Sequence, residues 1–377
     1  MKTDVLVIGG GLAGAACAYY LARDGVTVVV AEARDLNTQA SGTNAGSIHV
    51  QLQHPEFVSL GAAWAQAYGP TLRLLHASQA MWLGLSAELG VDLDVRLAGG
   101  LLVATTDAQM KAVSAKAAVD RAFGVPMEML DAADLRRIAP YLADDAIGGA
   151  ICPAEGKANP LKATPAYAAA AVRAGAVILT DCRVLGLQAV PGGYTAQTSQ
   201  GPITAGRAVN AAGAAAADVA RMLGVEIGLQ GFPLQVTVTE PVAPLIPHLV
   251  YSAAGKLSAK QALNGTCLIG GGWPAHKRAD GSLATNPASL TGNMARAASV
   301  IPALGQVRAV RSWTATVNGT ADWRPIIGEV PGHAGFFLSL FPWMGFSAGP
   351  MTARMTADLV QGRAPSLPLK GISSLVD

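Results

Sequence analysis

Val5-Leu6-Val7-Ile8-Gly9-Gly10-Gly11-Leu12-Ala13-Gly14, followed by a small-residue stretch and then Val28-Val29-Val30-Ala31-Glu32, decides the fold of this chain. It reads as a strand, a glycine turn, a helix and a second strand that ends in a carboxylate. Each glycine has a task in binding a dinucleotide. Gly9 allows the tight turn off the strand, Gly11 lets the backbone approach a pyrophosphate, and Gly14 lets helix and sheet pack closely. The amides at the helix start, including Leu12 and Ala13, then face the phosphates at the positive end of the helix dipole. Glu32, with Ala33 after it, stands where a carboxylate accepts the ribose hydroxyls of an adenosine. A carboxylate there repels a 2′-phosphate, so FAD or NAD fits better than NADP.

Working outward, Ala40-Ser41-Gly42-Thr43-Asn44-Ala45-Gly46 follows the second strand as a loop, and this loop separates a flavoprotein from a nicotinamide enzyme. The 377 residues allow two domains with substantial cores. Half the residues are hydrophobic, 14% are charged and the net charge is +2, which gives no reason to expect nucleic acid. Cys17, Cys152, Cys182 and Cys267 have no metal, Fe–S or disulfide spacing. They read as buried thiols in a reducing compartment. His49 and His54 share no helical spacing with a carboxylate cluster, so no metal site is expected. The first strand begins almost at Met1, leaving no room for a signal peptide. No stretch reads as a membrane span. The expected location is cytoplasmic, or peripheral to the inner membrane.

The rest of the chain alternates between two textures. Helices are expected over Phe57–Gly90 and Asp107–Val125, with a short strand Gly99–Ala104 between them. Another helix is expected over Thr164–Ala174, with Thr164 as N-cap and Pro165 at its first position. Ala208-Val209-Asn210-Ala211-Ala212-Gly213 is a strand running into a small-residue turn. Beyond Gly231 the pattern changes to alternating strands: Leu234–Glu240, His248–Ser252 and Thr266–Gly270. Gly335–Gly349 is strand, glycine-rich turn and helix again. The expected architecture is α/β, a Rossmann-like FAD-binding domain of the glutathione-reductase type interrupted by an α+β substrate domain with a mixed or antiparallel sheet. The division is 1–85, 145–228 and 318–377 for the first, and 86–144 and 229–317 for the second.

Four blocks carry a resemblance: the N-terminal site with Ala40–Gly46, Glu155-Gly156 through Pro160, Asn210–Gly213, and Asp322 through Gly328 together with Gly345–Pro350. Spread over almost the whole chain, they resemble the D-amino-acid oxidase family of FAD enzymes. The resemblance implies that Ser41, Thr43, Asn44, Ala45, Gly46 and Ser47 pass beside the flavin and that Val184 holds the adenine through its backbone. It also implies that Ala211, Ala212 and Gly213 border the cofactor, and that Gly345, Phe346, Ser347 and Gly349 cradle the ring edge and ribityl chain. No Cys lies within Trp313–Asp322, where some members tether the flavin, so the FAD is expected to be noncovalent.

Within that family, Thr43–Gln51 and Leu268–Trp273 are similar to the smaller catalytic subunits of heteromeric opine oxidases of the octopine and nopaline types. That likeness implies a larger FAD-containing partner and a small ferredoxin-like subunit. One departure matters. Many members place an arginine just before the Gly-Thr-x-Asp stretch to pair with the substrate carboxylate, whereas Val317-Asn318 stands here before Gly319-Thr320-Ala321-Asp322.

The implied reaction is hydride transfer from an amine-bearing carbon to the flavin, giving an imine that water hydrolyses. His49 directly follows the flavin-side loop, either over the ring or as a packed histidine, with Gln51 as a companion. Tyr251 and Lys260 sit on or near substrate-domain strands. Trp273 offers a cation–π wall for an amine or a core ring. Arg324, Arg311, Lys260 and His49 are the candidates for a replacement carboxylate ligand. Three readings stay open: a catalytic opine-oxidising subunit, a self-sufficient D-amino-acid, glycine/sarcosine or (hydroxy)proline enzyme, and a flavin electron-transfer subunit.

Overall fold

The parallel core of the first sheet is dictated by strands with no polar face. Val28–Ala31 is buried at every position, as is Val5–Ile8 at the end of Lys2–Ile8, which suits strands covered on both sides. The structure, a computed structural model, describes residues 1–375. In this sheet the order is Ile326–Glu329, Phe336–Leu340, Gly201–Asn210, Lys2–Ile8, Val28–Ala31 and Val177–Leu179. All neighbours run parallel except the first pair. A hairpin of Val184–Val190 and Gly193–Thr198 pairs against Gly201–Asn210.

Helix Leu12–Arg23 covers one face, and the alanine-rich helices Pro160–Arg173 and Gly345–Val360 pack against it. The approach is close: a Cβ on Gly349 would lie 2.7 Å from Leu12 Cδ2.

The second sheet is largely antiparallel. Its order is Ala309–Gly319, Gln230–Pro241, Thr266–Pro274, Gly255–Gln261, Leu249–Ser252, Gly100–Ala104, Gly148–Cys152 and Glu128–Asp131. Strand Gly148–Cys152, assigned above to the nucleotide-binding part, pairs here between Gly100–Ala104 and Glu128–Asp131. Four of its strands, Glu128–Asp131, Gly148–Cys152, Gly255–Gln261 and Ala309–Gly319, have no counterpart among those expected.

Two helix starts differ from expectation. The helix expected from Thr164 begins at Pro160 instead. Asn159 caps it by accepting from the Leu161 amide, and Pro160 takes the early position where a missing N–H costs nothing. Pro165 is therefore inside the helix. The long helix runs His54–Leu89 and is broken at Gly61, whose φ of 82° lies outside helical space.

Candidate functional site

Helix Leu12–Arg23 starts at Gly11, which has no side chain to cap it; Ser41 Oγ takes the Leu12 amide, and the amides that follow in the first turn face an anion. Gly9 holds a φ of 104°, and a Cβ there would meet the Ala211 carbonyl oxygen at 2.6 Å. The Asn210–Gly213 turn thus packs directly on the glycine turn. It is tied down by the Ala211 amide donating to the Ile8 carbonyl (2.9 Å) and by Asn210 Nδ2 donating to the Ala216 carbonyl (2.8 Å).

Glu32 is fixed where its strand ends. Its carboxylate accepts from the amides of Gly10 (2.7 Å) and Arg34 (2.9 Å). Ala33 lies between these two contacts. The Cys182 amide donates to the Glu32 carbonyl, which brings the start of the Val184 strand beside this corner. A helix start with first-turn amides left open, glycines that let backbone approach, and a pinned carboxylate at the strand end together suit an adenine dinucleotide.

The loop after the second strand holds itself in shape. Ser41 Oγ accepts from the Leu12 amide (2.9 Å), joining loop to helix start. Asn44 Nδ2 donates to the carbonyls of Ala40 and Ser41, and its Oδ1 accepts from the Gly46 amide (2.7 Å). Gly46 sits at a φ of 76° with the Ala158 carbonyl where a Cβ would be. The late turn is stitched to the same loop: Ser347 Oγ accepts from the His49 amide (2.8 Å) and donates to the Ser47 carbonyl (3.1 Å). Ser78 and Trp82 both donate to the Ser347 carbonyl. Nothing fills the space where a Gly345 Cβ would point.

Between this loop and the second sheet lies a cavity of about 700 Å³. Thr43, Asn44 and Ala45 line it together with His49, Gln51, Tyr251 and Ser258. Phe232, Trp323 and Trp343 add an aromatic wall, with Trp323 and Trp343 stacked at 5.0 Å between ring centroids. Both tryptophans hold positive φ (69° and 61°), which bulky residues adopt only under local constraint.

A buried polar chain runs back from the cavity. His49 Nδ1 lies 2.7 Å from Tyr251 Oη, which donates to Glu155 Oε2 at 2.8 Å. Glu155 also accepts from the amides of Val50 (2.6 Å) and Gln51 (2.9 Å) and from Gln51 Nε2 (2.8 Å). Gln51 Oε1 in turn accepts from Lys116 Nζ (2.7 Å), which is ion-paired with Asp120 at 2.7 Å.

The direction of the chain follows from charge. Burial raises the Glu155 pKa, but all four contacts donate to it, which suits a carboxylate. Tyr251 spends its single proton on Glu155, so its oxygen accepts from His49 Nδ1–H. Burial, with Lys260 nearby, pulls His49 down to about 3, so the ring is neutral and its Nε2 carries the lone pair.

Lys260 is 1% exposed, and its hydrogen-bond partners are Ser47 Oγ (2.7 Å) and Ser258 Oγ (3.3 Å) rather than a carboxylate. Burial and the positive Lys157 pull it down to about 7 from 10.5. Between pH 7 and 10.5 the unfolded chain binds a proton that the folded one has released, so this group makes stability rise with pH there. Lys260→Met is expected to stabilise the protein most below pH 7, with the gain fading towards pH 10.5. Melting curves of both proteins across that range test this; parallel pH profiles would refute it.

Of the expected catalytic group, His49, Gln51 and Tyr251 line the cavity together, while Lys260 lies behind the lining, bonded to Ser47 and Ser258. Trp273 does not line the cavity. Its ring packs on Gly292 of helix Pro287–Val300, where a Cβ would come within 2.6 Å of it. Gly271 and Gly272, both at positive φ, turn the strand just before it. Arg311 and Arg324 also lie outside the lining, and Arg324 instead donates to the Ser373 carbonyl. Val317 does line the cavity, so no guanidinium projects from that point.

Sequence reasoning missed Lys116 and Asp120, and it left Glu155 without a role. Lys116 and Asp120 are four apart on helix Asp107–Ala122, a spacing equally common in exposed pairs. Among the described residues no metal-binding cluster occurs and no helix is long and apolar enough to cross a membrane. The cysteines are all buried, and none lines the cavity.

The profile of the FAD dependent oxidoreductase family (DAO) matches residues 4–359. An opine oxidase subunit of Rhizobium meliloti is 29% identical over 89% of this chain and 88% of its own length. The beta chain of sarcosine oxidase from Rhizobium meliloti is also 29% identical, over 96% of this chain and 85% of its own. The crystal structure of glycine oxidase from Geobacillus kaustophilus superposes with a TM-score of 0.86 at 25% identity, covering 99% of this chain and 98% of that one.

Proposed function

This chain belongs to the FAD-dependent oxidoreductase family, whose members include amine and amino-acid oxidases, and from that premise we propose that it oxidises a secondary amine of the opine type as the catalytic subunit of a heteromer. The observation that carries this reading is the neutral His49 in the cavity wall, held by Tyr251 and Glu155 beside the Ser41–Gly46 loop.

FAD would be held by Gly9 through Gly14 at the pyrophosphate and by Glu32, Ala33 and Val184 at the adenosine. Ser41 through Ser47, Ala211 through Gly213, and Gly345 through Gly349 would border the flavin. When bound, FAD supplies the hydride acceptor for the carbon that bears the amine. His49 Nε2 accepts a hydrogen bond from the substrate nitrogen and keeps it oriented with its proton available for removal. Tyr251 and Glu155 hold that imidazole in one tautomer. Lys260, close to neutrality, can hold or release a proton at Nζ beside Ser47. The aromatic wall excludes water while the C–H bond is positioned. Loss of hydride and the nitrogen-bound proton leaves an imine, which water cleaves to an amino acid and a 2-oxo acid.

Both opines and sarcosine are secondary amines, and Val317 in place of an arginine disfavours a small α-amino acid held by its carboxylate alone. Likeness to subunits of heteromeric oxidases supports a larger FAD-containing partner and a small ferredoxin-like one. The end-to-end likeness to glycine oxidase favours a second reading, a self-sufficient oxidase of a small amino acid.

Octopine or nopaline is expected to bleach the flavin of the anaerobic protein, while sarcosine and D-alanine do not; the reverse order promotes the second reading. His49→Ala should slow bleaching at least about tenfold with FAD retained, the usual scale for a group acting on a transferred proton. An unchanged rate would reduce His49 to packing. Copurification with a larger flavoprotein from the native host tests the heteromer, which an active lone chain overturns.

A further inference from the structure

Glu56 is the one acidic side chain among the described residues that line the cavity, and Lys256 is its one cation outside an ion pair, since Lys116 is closed on Asp120. Glu56 stands in the first turn of the His54–Leu89 helix. Lys256 opens strand Gly255–Gln261, and its Nζ donates to the Gly272 carbonyl (3.2 Å). The two charges are close enough for Lys256 to lower the Glu56 pKa, yet they form no ion pair among the described residues. Burial outweighs that help and raises the Glu56 pKa, so the carboxylate is partly desolvated without a bonded counter-ion.

Length points the same way. Lys256, Ser258 and Lys260 alternate onto one face of their strand. Lys260, behind the lining at Ser47, is at the buried end of that face and Lys256 at its exposed end, about 13 Å apart at roughly 3.3 Å per residue. Sarcosine is about one residue long, roughly 3.5 Å, and cannot reach from the inner end to the outer charges.

We propose that Glu56 forms a distal subsite that selects an amine with a long, cation-ended substituent, taking its guanidinium or ammonium. This rests on the amine-oxidising reading above.

The test uses the FAD-loaded protein with octopine, whose tail is a guanidinium, and N-(1-carboxyethyl)norvaline, which lacks it. Anaerobic bleaching against concentration gives a KM for each, and perturbation of the flavin spectrum by arginine gives a Kd independent of turnover. Octopine is expected to show a KM at least about tenfold lower, as charge-assisted pairing supplies. Glu56→Gln should bring the ratio of the two KM values close to one and weaken arginine binding.

Equal KM values in the unmodified protein, or a ratio that survives Glu56→Gln, overturn the subsite and leave the amine reading standing. Bleaching by neither compound overturns the amine reading, and the subsite with it.

Discussion

Lys116→Met is expected to destabilise the protein by about 3–5 kcal/mol, the range for removing one partner of a buried ion pair. Lys116 is 1% exposed and Asp120 fully buried. The substitution leaves the Asp120 carboxylate with the Leu52 amide as its remaining donor. It also leaves Gln51 Oε1 without its partner, and Gln51 orients Glu155, which orients Tyr251 and His49. Slower flavin reduction should therefore accompany the loss of stability. Adding Asp120→Asn removes the stranded charge and should recover about half of the lost stability, although not the orientation of Gln51. Urea denaturation of the single and double variants checks this. A single variant within about 1 kcal/mol of the parent, the scale of an exposed pair, rules the account out.

How much of this site was legible in the sequence depends on the distance over which each part is built. The glycine turn, its helix and Glu32 occupy one stretch of chain, and the Gly10–Glu32 contact that closes them lies within it. The Ser41–His49 loop was legible for the same reason, since Asn44 closes it on its own neighbours. Glu155 was not legible as a site residue. It reaches Val50 and Gln51 only because Gly100–Ala104 and Gly148–Cys152 pair in one sheet, and the position assigned to the second of these strands hid that pairing.

Lys116 and Asp120 illustrate a different limit. Their helical spacing is visible, but what buries them is the 50–52 segment laid over that face. Trp273 fails through its face. It shares the strand face of Cys267 and Ile269, which packs into the core with helix Pro287–Val300, and the sequence does not show which face of that strand meets the cavity. Pro165 misled because it is a plausible helix start, while Asn159-Pro160, a few residues earlier, supplies both a cap and a proline.

Gly14→Ala and Gly11→Ala should fail in different ways, and the contrast tests the dinucleotide site most directly. An added methyl on Gly14 would sit 1.9 Å from the Gly9 carbonyl oxygen. That atom is backbone, and Gly9 is held by its amide donating to the Ala31 carbonyl (2.9 Å), so it cannot step aside. The helix would have to lift off the sheet, and Gly14→Ala is expected to give little folded protein. On Gly11 the methyl meets Ser41 Oγ at 3.0 Å, a rotatable side-chain atom at the loop edge. Gly11→Ala should therefore fold, while the methyl stands where the pyrophosphate needs bare backbone. FAD affinity is expected to fall about 100-fold, roughly 2.7 kcal/mol. Circular dichroism and flavin released by acid separate the two outcomes: a folded, nearly colourless Gly11→Ala protein supports the assignment. A Gly11→Ala protein as yellow as the parent would show that the phosphates do not pass over this glycine.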